Sequence, residues 1–195
     1  MGNLRSVENK FKKLGFECLI SSDKNEIIRA DKLILPGVGH FKSGMLNLKE
    51  LGLIEVLTQK VFSNRTPILG ICLGIQLFCK YSEEGNCEGL GWIDADVVKF
   101  SVSDKIKYKV PHIGWNNVSI KNTNSLDKVI KNDDQFYFVH SYHLKCREVS
   151  NIWMTTQYDY EFVSAVHHEN IYGTQFHPEK SHDVGFNLLQ KFAEL

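Results

Sequence analysis

Five residues, Gly70-Ile71-Cys72-Leu73-Gly74, carry the strongest chemical signal in the chain. They fit the nucleophile-elbow spacing, with cysteine in place of serine. An elbow turns a strand sharply into a helix and holds its apex side chain above the sheet. Glycines must flank the apex because side chains there would strike the strand and the helix. The apex also sits at a helix N-terminus, whose partial positive charge favours a thiolate. A buried, inert thiol is the commoner fate of a cysteine. An apolar strand over Pro67–Ile71 and a helical run after Cys72 favour the nucleophile.

A nucleophilic cysteine needs a base, and the chain has eight histidines. His177 stands out. It follows the strand-like run Ile171-Tyr-Gly-Thr-Gln-Phe176 and precedes Pro178 and Glu179. A histidine at the carboxyl end of a strand shares a rim with the elbow. Glu179 could accept the other imidazole N–H and fix the tautomer, giving a triad of Cys72, His177 and Glu179. Without the elbow, His-Pro-Glu is an ordinary polar turn. The oxyanion of an acyl-transfer step needs donors. The backbone N–H of Leu73 is one, and the turn Pro36-Gly37-Val38-Gly39 could present a second. Lys42 stands where a dinucleotide fingerprint would place its third glycine, and no Walker A sequence occurs. His167-His168 reads as strand plus turn rather than a metal pair, since no carboxylate or cysteine sits at suitable spacing. No metal and no cofactor are expected.

The elements that must carry these residues alternate. Leu4, Val7, Phe11 and Leu14 recur at helical spacing, and Gly15 ends the helix. Strands are expected over Phe16–Ser21, Lys32–Pro36 and Pro67–Ile71. Helices are expected over 43–63, broken near Gly52, and over Leu73–Tyr81. The middle is β-rich, with Ala95–Phe100, Val118–Ile120 and Phe136–Tyr142. The segment 109–117 mixes Pro, Gly, Trp and His and reads as surface-type, either a partner contact or a packed corner. Phe162–His168 and Ile171–Phe176 suggest a hairpin, and Val184, Leu188, Leu189 and Phe192 suggest a closing helix. Short apolar strands alternating with helices give an α/β fold. The expected form is a mixed, largely parallel sheet flanked by helices on both faces, within one domain over residues 1–195.

Composition bounds the partners. Lys+Arg and Asp+Glu are both 23, so no basic excess drives binding to nucleic acid or anionic membranes. The longest apolar-rich run, Ile68–Cys79, is far short of the ~20 residues of a bilayer span. The first ten residues have no apolar signal region. The five cysteines are odd in number and contain no Cys-x-x-Cys, so a disulfide framework is poorly supported. A cytoplasmic setting is expected.

Together these pieces resemble the class I (triad) glutamine amidotransferases. The matching stretches include Met1-Gly-Asn-Leu-Arg-Ser-Val7, Pro36-Gly-Val-Gly39, Gly70–Gln76, Ser82-Glu-Glu-Gly85 and Gly89-Leu-Gly-Trp92. They continue through Val110-Pro-His-Ile-Gly-Trp-Asn116, Tyr137-Phe-Val-His-Ser-Tyr142 and Gln175-Phe-His-Pro-Glu-Lys-Ser181. The last three point within the family to the HisH-type glutaminase subunits of imidazole glycerol phosphate synthase.

The resemblance implies hydrolysis of L-glutamine through a cysteinyl thioester on Cys72. Ammonia would pass to a HisF-type cyclase subunit in a heterodimer of histidine biosynthesis. It implies substrate contacts at Gly37, Gly39, Leu73, Gln76, Glu84, Ser141 and Tyr142, and a partner interface near Asn3 and Lys180. It also implies a strand and loop ahead of Gly2, so either the first strand of the sheet is absent here, at a cost in stability, or the start was assigned too late. The same catalytic residues would serve a HisH-like paralogue feeding a cell-surface sugar amidotransferase, or a stand-alone γ-glutamyl hydrolase.

Overall fold

The computed structural model describes residues 4–195. Six α-helices are present among them: α1 (Leu4–Lys13), α2 (Lys24–Arg29), α3 (Phe41–Glu50), α4 (Ile54–Thr58), α5 (Leu73–Leu77) and α6 (His182–Ala193). The strands run in chain order as β1 (Leu33–Gly37), β2 (Ile68–Cys72), β3 (Cys79–Ser82), β4 (Cys87–Glu88), β5 (Ile93–Lys99) and β6 (His112–Asn117). Six more follow: β7 (Ser119–Ile120), β8 (Gln135–His140), β9 (Tyr142–Cys146), β10 (Ile152–Gln157), β11 (Glu161–His168) and β12 (Ile171–Thr174).

The main sheet is mixed. Its order is β1-β2-β12-β11-β9-β5-β3-β4, with β10 paired to β11 and β7 paired to β10. β1, β2 and β12 are mutually parallel. β6 and β8 form a separate antiparallel ribbon. Every residue of β2 is buried, so its side chains alternate between two cores. Ile68 enters a core with Phe41, Leu57, Ile75, Phe78 and Trp92. Leu69 and Ile71 enter the opposite one with Phe138, Trp153, Phe176, Leu188 and Phe192. Helices therefore cover both faces, as the run of short apolar strands implied.

Three expectations need correction. Phe16–Ser21 is not a strand. Its residues have no ladder partner among the described ones, and Leu19 is 66% exposed. The helix after Cys72 ends at Leu77 rather than Tyr81, because Cys79–Ser82 pairs with β5 and β4. The apolar run to Tyr142 breaks at Ser141, and Tyr142 starts a new strand against β5. Within the segment 109–117, His112–Asn117 forms β6. Its alternation in burial is that of a ribbon with one covered face.

Register brings the chemistry to one rim. Gly37 pairs with Cys72, and Ile71 pairs with Thr174. The Gly37–Gly39 turn, the elbow and the segment leading to His177 thus leave three adjacent parallel strands at their carboxyl ends. This is where sheets of this kind place ligands.

Candidate active site

Cys72 sits between β2 and α5 with φ 55° and ψ −105°, a conformation that L-residues avoid. The neighbouring glycines make it possible. A Cβ on Gly70 would lie 2.7 Å from the Ile75 nitrogen. A Cβ on Gly74 would lie 1.7 Å from the Leu35 carbonyl oxygen of β1. The glycines are thus steric requirements of an elbow packed against its neighbouring strand.

His177 is buried and follows β12. Its Nδ1 lies 2.7 Å from Glu179 Oε1, a pair closed to solvent. Donating this bond fixes a proton on Nδ1 and leaves Nε2 for the cysteine side. Nε2 has no nitrogen or oxygen partner in the resting geometry. Burial opposes charge on the ring. Interaction with Cys72 and with Glu179, by hydrogen bonding and by charge, outweighs it and raises His177 to about 9. An imidazolium at neutral pH is the counterion a thiolate requires.

Of the substrate-contact candidates, Gly37 and Leu73 adjoin Cys72 and Gln76 reaches it through Gln175. Gly37 is beside Cys72 in register, and Gly39 has φ +111° with open space at its Cβ position. The Leu73 N–H opens α5. Glu84 Oε2 accepts from the Phe41 N–H at 2.7 Å, which ties its carboxylate to the start of α3 just past the Gly37–Gly39 turn. Gln76 is buried and donates to the Tyr142 carbonyl at 3.1 Å. The Ser141 carbonyl accepts from the Phe100 N–H at 3.0 Å. The Tyr142 phenol is pushed up by burial and by the charges of Glu84 and Glu83.

Of the two interface candidates, Lys180 lies over the Tyr137 ring at 5.5 Å. Asn3 lies outside the described residues. Trp115 of β6, 42% exposed, stacks on His182 at 4.6 Å, so the ribbon and Lys180 share one accessible face.

Sequence reasoning gave no role to three residues that support this site. Ser181 accepts from the Tyr137 N–H at 3.0 Å and donates to the His177 carbonyl at 2.6 Å. Gln175 contacts both Gln76 and Cys72. Its spacing two residues before His177 in an extended segment was a usable signal, since such residues share a side. His140 gave no comparable signal.

His140 belongs to a buried row. Its Nδ1 donates to the Tyr142 carbonyl at 2.7 Å, so its Nε2 must accept from His112 Nδ1 at 3.2 Å. Burial alone depresses His112 to about 4, and burial leads the causes that hold His140 well down. Both rings are therefore neutral when folded. A depressed histidine contributes stability above its unfolded value of 6.5 and loses it as pH falls. His177, raised to about 9, contributes below 6.5 and loses its share as pH climbs through 9. Thermal melts across this range should therefore crest near pH 6.5 and fall on both sides, on the acid side down to about 4. A flat profile would contradict the assignment.

Comparison with known proteins gives a consistent match. The glutamine amidotransferase class-I family model covers residues 1–194. A Methanococcus maripaludis protein, imidazole glycerol phosphate synthase subunit HisH 2, is 53% identical over all of this chain and 95% of its own. The HisH 1 subunit of Campylobacter jejuni strain 81-176 is 47% identical over all of this chain and 96% of its own. Among solved structures, a glutamine amidotransferase superposes with a TM-score of 0.72 at 17% identity, covering 100% of this chain and 95% of that one. The glutaminase domain of Trypanosoma brucei CTPS, solved with bound acivicin, reaches 0.64 at 18% identity, covering 98% and 86%. Likeness at that identity speaks to fold alone.

Proposed function

The chain belongs to the class I glutamine amidotransferase family, and from that premise we propose that it is the glutaminase subunit of an imidazole glycerol phosphate synthase, acting through Cys72, His177 and Glu179. One observation carries the assignment of the triad: a buried His177–Glu179 pair at 2.7 Å beside a cysteine on a strained elbow. Structural cysteines have no need of that backbone.

In this reading the Cys72 thiolate attacks the side-chain carbonyl carbon of L-glutamine. The oxyanion accepts from the Leu73 N–H and from a backbone N–H of the Gly37–Gly39 turn. His177 gives its proton to the departing nitrogen, the C–N bond breaks, and ammonia leaves a γ-glutamyl thioester on Cys72. Glu179 holds the ring in place and offsets its charge. His177, now neutral, takes a proton from water as the water attacks the thioester, and glutamate is released.

Ammonia exposed to neutral water becomes ammonium and loses its nucleophilicity, so a closed route to an acceptor is needed. The exposed face with Trp115 and Lys180 fits a docking surface, since such surfaces combine aromatic anchors with a polar rim. The partner proposed is a HisF-type cyclase. Among the described residues no helix is long and apolar enough to cross a membrane, and a cytoplasmic heterodimer is the reading adopted.

Ammonia release by the chain alone, then with the cyclase and its nucleotide ligand, tests the pairing. Weak release alone and at least a tenfold rise in the complex is expected (about 1.4 kcal/mol of transition-state stabilisation). Full activity alone, unmoved by the cyclase, would instead indicate a free-standing hydrolase.

A further inference from the structure

Gln175 has no part in the triad, yet it is fully buried at the sulfur. Its amide orientation follows from its neighbours. The Tyr142 carbonyl can only accept, so the Gln76 atom 3.1 Å from it is Nε2. That same Nε2 is 2.9 Å from Gln175, whose facing atom must then be Oε1. Gln175 Nε2 is left 3.8 Å from Cys72 Sγ, within reach of a donor to sulfur. Besides His177, the sulfur also faces the Val139 carbonyl at 4.0 Å. A carbonyl can accept from a thiol but offers nothing to a thiolate. A neutral amide N–H can hold a thiolate without competing with His177 for its charge.

We propose that Gln175 is a further catalytic residue, whose side-chain amide donates to the Cys72 sulfur and is held in that orientation by Gln76. Gln76 is tied in turn to the Tyr142 carbonyl, which also accepts from His140. A substrate contact made at the 141–142 turn is thereby linked through two side chains to the nucleophile. The inference rests on Cys72 being the nucleophile, and its test separates the two.

The test is Gln175→Met, which keeps the length and removes the donor. Alkylation of Cys72 by iodoacetamide, followed on its own peptide by mass spectrometry, reads thiolate availability without glutamine. The expected alkylation profile moves about one pH unit upward, a tenfold slower reaction on its rising limb with the same plateau at high pH. For glutamine hydrolysis kcat should fall more than KM rises. An unchanged alkylation profile in a variant with native circular dichroism overturns the proposal. If the variant does not fold, the unaltered protein decides. NMR signals of the Gln175 side-chain amide should shift when Cys72 is alkylated, and signals that stay put overturn it. Failure of the nucleophile reading looks different: glutamine hydrolysis would survive Cys72→Ala whatever Gln175 does.

Discussion

Cys72→Ala is expected to reduce glutamine hydrolysis by roughly 10⁴-fold or more, the scale of losses when a covalent nucleophile is removed. Neither Cys79 nor Cys146 can substitute. Cys79 is fully buried and its thiol is pushed far up, first by burial and then by neighbouring Cys146 and Asp96. Cys146 is raised to about 12, first by burial. Neither supplies a thiolate at neutral pH. The substitution removes one buried sulfur and leaves the elbow glycines and the His177–Glu179 pair in place. Folding and partner binding should persist, so the loss belongs to chemistry. Ammonia assay with circular dichroism and a pull-down of the cyclase gives the separation. Ammonia release that survives would remove the covalent route.

The second large effect is on folding. Gly74→Ala places a methyl group 1.7 Å from the Leu35 carbonyl oxygen, a backbone atom inside the sheet. No rotamer can relieve that contact. β1 and α5 must separate, and both belong to the same buried core. The expected cost exceeds about 4 kcal/mol, against a total stability of about 5–15 kcal/mol for a typical domain. The variant should be insoluble or melt without a cooperative transition. Gly15→Ala is the comparison. Gly15 caps α1 at φ +81° with nothing near its Cβ position, so only local strain of about 1 kcal/mol is expected. Equal melting temperatures for the two variants would refute the steric account.

What the sequence revealed, and where it misled, follows physical lines. The elbow was legible because its constraints are local: two glycines, an apolar strand and a helical run lie close to Cys72 in the chain. His177 and Glu179 were legible because a strand-ending histidine followed closely by a carboxylate forms a unit within one turn. Helices α1 and α6 could be read from apolar spacing that one covered face imposes. The failures are non-local. Whether Phe16–Ser21 becomes a strand depends on a neighbour in the sheet, which a strand's own residues cannot reveal. The helix after Cys72 stops at Leu77 because Cys79–Ser82 is claimed by β5, further along the chain. Gln175 escaped notice because its function depends on Gln76 and Tyr142, each brought to it by tertiary packing alone.

The dihedral angles at Cys72 have one more implication. A residue forced into that region carries on the order of 1–3 kcal/mol of unfavourable energy, a sizeable share of what holds an ordinary domain together. Glycine would occupy the same corner with far less penalty. Pressure for durability alone would therefore tend to erase this side chain, and an engineering campaign scored only on heat resistance should be expected to drift towards a sturdier, inert descendant. Any screen for hardier variants of this protein has to count ammonia as well as temperature.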